Sequence, residues 1–344
     1  MKTAILIIKN FLLLVFLVEG SAVNGQDIRE APAPLFRDPI HDGAADPVVF
    51  WNSNEQEWWM FYTARRANAD AADVAYWFGT NIGIASSEDN GYTWVYRGEL
   101  DLDIEKGKNT FWAPDVVFAD GKYHLFVTYK KGVRNHWGGK AGIAHYTSEN
   151  VWDWKFVGLL SLSSDDVIDA TVFQAPDGTW KMWYKDNNQS WLAESDDLYL
   201  WTWRNNPVIA DKPHEGPVVF ELEGYFWLIT DEWAGMGVYR SDDLENWEKQ
   251  PYPILDKPSS RPEDTPSGAH GDVVVTNGSA YIFYFTHPGR KSHSLAPLDD
   301  DGVLPYSLRR SSIQVAQIKV SDGWLICDRD KSFNFFLKPP TIKN

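Results

Sequence analysis

The feature that most constrains this chain is an internal repeat. An acidic or amide residue followed by glycine recurs at Asp120-Gly121, Asp177-Gly178, Glu223-Gly224 and Asn277-Gly278, with 57, 46 and 54 residues between successive glycines. Each pair stands between a β-rich run and an aromatic one: residues 116–118 and 123–129, 171–173 and 180–184, 218–221 and 225–230, 273–275 and 280–285. Such dipeptides accept positive φ and close tight hairpins, so each flanked pair predicts two antiparallel strands. Residues 48–51 and 57–62 form a fifth pair across 52–56. A third strand with small residues follows, as at 82–86 and 142–146. After it comes a Ser-acid turn and a tryptophan, at Trp94, Trp154, Trp203 and Trp247. Five such units without long helical periodicity describe an all-β, five-bladed propeller, closed by 311–320 and 324–327. The fold is read as one domain over 27–344.

Composition supports a packed fold. With 44% hydrophobic residues and 18 tryptophans in 344, the chain has ample apolar material for a core, and most of the tryptophan is assigned to packing between blades. The net charge of -16 repels nucleic acid and anionic membranes, which favours a neutral or cationic partner. The first 26 residues read as a secretory signal: Lys2, an apolar run from Ile5 to Val18 broken by Lys9-Asn10, then small residues at Gly20, Ser21, Ala22 and Gly25. The expected location is secreted or periplasmic, without membrane insertion after cleavage. Cys327 is the single cysteine, so no internal disulfide forms and a thiol catalyst is not expected.

In a propeller the innermost strand of each blade starts near the central axis, so polar residues at those starts converge on one funnel. They are Asp46, Trp112 and Asp115, Asp169, Glu215, and His270 with Asp272. Crowded carboxylates repel one another and titrate apart, which is the condition for pairing a general acid with a general base. Glycoside hydrolysis needs that pair. On the bland reading, these acids cap strand starts or hold a structural cation. Substrate contacts are expected from loops on the same face: Trp112, Arg66 in Arg65-Arg66-Ala67-Asn68, Trp137 in Asn135-His136-Trp137, and Asp231-Glu232-Trp233.

Asp46-Pro47-Val48, Val167-Ile168-Asp169-Ala170 and Glu215-Gly216-Pro217 resemble the three acidic signatures of glycoside hydrolase family 43 and its five-bladed relatives in families 32, 62, 68 and 117. Trp112-Ala113-Pro114-Asp115-Val116 is similar to the Trp-Ala-Pro stretch of their second blade. The resemblance covers about residues 36–328. It implies Asp46 as general base, Asp169 as the acid that orients and tunes its partner, and Glu215 as general acid, with inversion at the anomeric carbon. His270 looks like the axial histidine near a calcium ion or water cluster, which makes it a candidate for substrate or metal contact. In the family 117 relatives a histidine is thought to serve as acid, so His270 competes with Glu215. The implied function is exo-acting release of a terminal sugar from plant or algal cell-wall oligosaccharides, of arabinofuranoside, xyloside or anhydro-galactoside class. No cofactor is expected for the chemistry, beyond a structural calcium at the axis. A non-catalytic carbohydrate-binding propeller and a glycoside phosphorylase are the alternatives. Asp38 and Asp42 are rival candidates for the base. Residues 87–94, Ser-Glu-Asp-Asn-Gly-Tyr-Thr-Trp, match the Asp-box turn of sialidases, a structural turn distant from their catalytic centres. Five blades are one short of a sialidase.

Overall fold

The computed structural model describes residues 29–291 and 303–340, so the expected signal segment lies outside the described residues. Twenty strands form five four-stranded antiparallel sheets, a five-bladed β-propeller. The first sheet is β1 (Ala44–Asn52), β2 (Glu57–Ala64), β3 (Ile82–Ser87) and β4 (Val95–Glu99). The second is β5 (Thr110–Ala119), β6 (Lys122–Lys130), β7 (Gly142–Ser148) and β8 (Lys155–Leu159), and the third β9 (Val167–Gln174), β10 (Trp180–Asp186), β11 (Gln189–Ser195) and β12 (Thr202–Trp203). The fourth comprises β13 (Glu215–Leu222), β14 (Tyr225–Asp231), β15 (Met236–Ser241) and β16 (Glu248–Lys249). The last comprises β17 (Ala269–Thr276), β18 (Ser279–Thr286), β19 (Ser312–Ser321) and β20 (Trp324–Ile326). The first strand of each sheet packs against its counterparts on both sides, β1 touching β5 and β17, which closes the ring. Among the described residues no helix is long and apolar enough to cross a membrane.

The hairpin turns fall where the repeat placed them, with Asp120, Glu223 and Asn277 and the glycines after them at positive φ. Trp59, Trp183 and Trp227 are wholly buried, as expected if tryptophan mainly fills the space between sheets. In the first four blades the turn after the third strand has a recurring construction. The Asp or Asn two residues past its first serine accepts backbone N–H bonds: Asp89 from Thr93, Asn150 from Trp152 and Asp153, Asp197 from Tyr199 and Leu200, Asp243 from Glu245 and Asn246. The following tryptophan donates its indole N–H back to a turn carbonyl: Trp94 to Gly91, Trp154 to Val151, Trp201 to Leu198. In the third blade this residue is therefore Trp201. Trp203, expected there from the sequence, instead belongs to the outer strand.

One departure from the sequence reading positions the site. The innermost strands begin earlier than their apolar runs suggest, because the pairing of each with its neighbour slips close to its start: at Ala45/Val48, Trp112/Pro114, opposite Trp183/Lys185, at Glu215/Val218 and at Ala269/Gly271. These are β-bulges, which bend a strand and re-aim a side chain. Asp46, Ala113, Asp169 and Gly216 occupy them at φ of 48°, 43°, 56° and 55°. The acids thus lie inside bulged strands, not ahead of straight ones.

Candidate active site

The paired register makes the five blades comparable residue by residue. The residues just before the slip, facing the second strand, are Ala45, Trp112, Ile168, Glu215 and Ala269, opposite Thr63, Thr128, Lys185, Asp231 and Phe285. The bulged residues that follow are Asp46, Ala113, Asp169, Gly216 and His270. Asp46, Asp169 and His270 are therefore structural equivalents in blades one, three and five, whereas Glu215 stands one residue earlier in blade four. Four of the five bulges are fastened to the preceding blade: Ala113 N–H donates to Thr63 Oγ1 (2.8 Å), Asp169 N–H to Thr128 Oγ1 (2.9 Å), and His270 N–H to Asp231 Oδ2 (2.8 Å). Gly216 N–H reaches Asp169 Oδ2 at 3.3 Å. A strand bent at positive φ leaves its amide without a ladder partner, and these bonds supply one.

These residues open on a single cavity of about 640 Å³ lined by Asp46, Asp169, Glu215 and His270, together with the aromatic walls Trp77, Trp112, Trp137 and Trp233. The volume is within the roughly 300–1,000 Å³ usual for small-molecule sites. Trp112 donates its indole N–H to Trp77 O at 2.6 Å, and Trp77 lies 4.3 Å from the half-exposed Trp137 ring.

Arg65 Nη2 donates to both Asp46 oxygens, at 3.0 and 3.1 Å, and its guanidinium is sandwiched between Trp77 and Phe285 at 5.0 and 4.5 Å. His270 Nδ1 stands 3.7 Å from Asp46 Oδ1 on the other side. Glu215 Oε2 accepts from Lys185 Nζ at 2.9 Å. Burial raises the Glu215 pKa, but the Lys185 charge and hydrogen bond, with Trp233 and His270 helping, hold it below the ordinary carboxylate range. Its neighbours move the other way. Burial, with the negative Glu215 and Asp46 nearby, pushes Asp169 up to about 6 against the pull of His270 and Lys185. Burial and Glu215 push Asp231 up to about 7 against the His270 and Trp233 N–H bonds it accepts. Carboxyls with separated affinities for protons thus share one cavity, the condition for acid-base chemistry.

Gly216 is required by contact as well as by backbone. A Cβ there would lie 2.5 Å from His270 Cγ, so the glycine lets the imidazole lie flat against the strand that carries Glu215.

The structure brings Asp46, Asp169, Glu215, Trp112, Trp137 and His270 to this cavity. Arg66 is not among them: its Nε and Nη2 donate to the Phe78 and Ala75 carbonyls, and the neighbouring Arg65 faces the cavity in its place. Both arginines lie just beyond the end of β2, and Arg66 is turned to the 75–78 segment, where its backbone N–H also donates to the Tyr76 carbonyl at 2.9 Å. Asp115 lies one layer down and accepts the Val172 N–H at 2.7 Å, just as Asp272 accepts that of Val49 at 2.8 Å. Asp38 is occupied by the Ile40 and His41 amides and the Tyr62 hydroxyl, and Asp42 by Arg37, Arg310 and Tyr306. Asp38 thus braces the segment leading into the first blade, and Asp42 ties that segment to Tyr306 and Arg310 near the far end of the chain. Among the described residues no group of three or more His, Cys, Asp or Glu is disposed to hold a metal ion.

The residues missed are Lys185, Arg65, Lys130, Asn187 and His287, at or just beyond the ends of the second strands, whereas Asp231 and Trp233 belong to the loop named from the sequence. Lys185 and Asp231 stand opposite the bulges, and two residues further on lie Arg65, Lys130, Asn187, Trp233 and His287, two past Thr63, Thr128, Lys185, Asp231 and Phe285. All five line the cavity. The signal that could have found them is their common place at or just past the ends of the second strands, the same ends at which the innermost strands start.

Comparison with known proteins follows from this geometry. The profile of the glycosyl hydrolases family 43 matches residues 95–297, more than half of the chain. No curated protein matches the sequence. Among solved structures, the chain is similar to a thermostable family-43 glycoside hydrolase, at 18% identity and TM-score 0.62 over 89% of this chain and 99% of the other. It is also similar to a family-43 β-1,3-galactosidase bound to galactodeoxynojirimycin (17%, 0.63, 88% and 100%). A third likeness is to the GH43_1 enzyme from Xanthomonas citri complexed with xylose (15%, 0.61, 86% and 92%).

Proposed function

The chain belongs to glycosyl hydrolases family 43, and from that membership we propose that it is an exported, exo-acting, inverting glycoside hydrolase that removes one terminal sugar from plant or algal cell-wall oligosaccharides. The observation that carries the reading is the convergence of Asp46, Asp169 and Glu215, from three blades, on one cavity with aromatic walls. A pocket of this size, in place of an open groove, favours a chain end. Trp112 and Trp137 offer ring faces for a sugar.

In the proposed reaction a water held beside Asp46 attacks the anomeric carbon. Asp46 takes the proton from that water as the new C–O bond forms. Glu215 gives its proton to the glycosidic oxygen as the old C–O bond breaks. Arg65 fixes the Asp46 carboxylate in one orientation, and Asp169, bonded to the Gly216 amide, fixes the backbone next to Glu215. Solvent then returns both residues to their starting protonation. Lys185 holds Glu215 below the ordinary carboxylate range, so the proton-donating form is favoured by acidic pH.

Hydrolysis of aryl glycosides and of cell-wall oligosaccharides, with NMR of the first-formed anomer, tests the reading. Glu215→Gln retains turnover on substrates with activated leaving groups and loses it on unactivated ones, whereas Asp46→Asn loses both. Acid-base assistance of roughly 10²–10⁴-fold makes the contrast measurable. If His270→Ala shows the leaving-group selectivity instead, the acid is His270. Product of retained configuration, or near-normal rates in all three folded variants, refutes the assignment.

A further inference from the structure

The charges on the cavity wall are unevenly distributed. Blades two to four contribute Lys130 and Lys185 against Asp166, Asp169, Glu215 and Asp231. Blades five and one contribute Arg65 and Arg290 against Asp46 alone, with His270 and His287 beside them. Asp46 is already engaged by Arg65. Arg290 is 5% exposed, and its partners are the Leu308 carbonyl (Nε, 2.7 Å) and the Tyr76 hydroxyl (Nη2, 3.1 Å). No carboxylate among the described residues pairs with it. A guanidinium carries five donors and cannot lose its charge, so burying one without an anion is costly. Burial and the neighbouring Arg65 charge accordingly pull Arg290 below its ordinary value.

The position of Arg290 is built. It ends the His287-Pro288-Gly289-Arg290 turn that follows β18, and its N–H closes that turn on His287 O at 3.0 Å. Gly289 abuts Ser307, where a Cβ would meet the carbonyl oxygen at 1.9 Å, so the turn is locked against the segment ahead of Leu308. The cation is thereby held at the cavity in a chain whose net charge is -16. A neutral sugar would leave this wall, counted over the described residues, with a surplus positive charge.

We propose that the cavity takes a saccharide bearing an anionic substituent, a carboxylate or a sulfate ester, held by Arg290 on the wall formed by blades five and one. The inference rests on the hydrolase reading for its chemistry but not for its binding. Charge-assisted bonds to a guanidinium are strong and directional, so the charged ligand is favoured at least roughly tenfold over the same skeleton without the charge.

The test presents oligosaccharides from uronate-rich and from sulfated cell-wall polysaccharides, each beside its carboxyl-reduced or desulfated counterpart, with arabinoxylan and galactan fragments as the neutral panel. Binding is read by calorimetry and cleavage by released sugar. The wild type is expected to prefer one charged series over its neutralised counterpart by roughly tenfold or more, which also identifies the substituent. Arg290→Gln is expected to abolish that preference and Arg290→Lys to keep part of it. Equal affinity for charged and neutralised forms, a preference that survives in Arg290→Gln, or binding of the neutral panel alone overturns the proposal. Should Arg290→Gln fail to fold, the wild-type comparison still decides. Binding of charged oligosaccharides without cleavage refutes the hydrolase reading and leaves the anion site standing; cleavage of neutral fragments alone does the reverse.

Discussion

Replacing Lys185 by methionine tests the electrostatics of the site directly. Lys185 Nζ lies 2.9 Å from Glu215 Oε2, and its charge also acts on Asp169. Both side chains are largely shielded, at 16% and 29% exposure. At that separation and an effective dielectric near 20, the gross attraction is on the order of 5 kcal/mol. Part of it is offset by the desolvation of both groups, so the net effect on Glu215 falls within the roughly 1–3 pH units usual for an opposite charge at contact. Removing the ammonium raises the Glu215 pKa, because the charged form loses its partner while burial still favours the neutral one. Activity that needs a protonated Glu215 is lost as pH rises through that pKa. The alkaline limb of the kcat/KM profile in Lys185→Met therefore moves to higher pH by roughly 1–3 units. Methionine matches the lysine stem in length, so packing against Trp233, 5.7 Å from Nζ, is largely retained. The assay is kcat/KM from about pH 2.5 to 9 on an unactivated substrate, so that the wild-type limb below the ordinary carboxylate range is covered, with circular dichroism to show that the variant folds. An alkaline limb that stays in place in a folded Lys185→Met protein refutes the argument, since the ion pair would then not govern the proton donor.

Other expectations follow from the same contacts. Gly216→Ala forces a Cβ into the His270 ring at positive φ, at a backbone cost of about 1–2 kcal/mol, and displaces His270 from Asp46; a fall in kcat larger than the change in melting temperature checks this, and an unaltered kcat contradicts it. Asp243→Ala removes the acceptor for the Glu245 and Asn246 amides far from the cavity, so by analogy with a lost helix cap it lowers stability by about 1 kcal/mol, seen as a small drop in melting temperature with KM unchanged. The His124–His145 pair, Nδ1 to Nε2 at 3.0 Å, is buried beside Phe126, and burial pulls His145 down to about 3. The unfolded chain then binds more protons than the folded one between about pH 3 and the ordinary histidine value, so stability rises with pH across that window. In His145→Phe the slope of melting temperature against pH should flatten there, and an identical slope would exclude the pair as its source.

What the sequence determined by itself was periodic. The acid- or amide-glycine turns at Asp120, Asp177, Glu223 and Asn277, and the alternation of the runs beside them, require only local backbone preference and one buried face per strand; they give four hairpins, and with the pair across 52–56 five, and thus five blades. Asp46, Asp169 and Glu215 were legible because inner-strand starts converge by topology, whatever the details of the blades. The bulges were not legible, since a slip in pairing depends on where the neighbouring strand's partners lie. From them follows the equivalence of Asp46, Asp169 and His270, and the offset of Glu215 by one residue. Arg66 was read for Arg65 because the two are adjacent just past the end of β2, and only the fold of the 75–78 segment, whose carbonyls engage Arg66, decides which of them faces the cavity. The ionisation of the site was decided later still. Lys185 is 30 residues from Glu215 in the chain and Asp231 is 16, and each meets it only across a blade boundary or a strand pair. Local preference sets which residues become strands; the charge on each carboxyl depends on distances of a few ångströms that arise only when the ring closes.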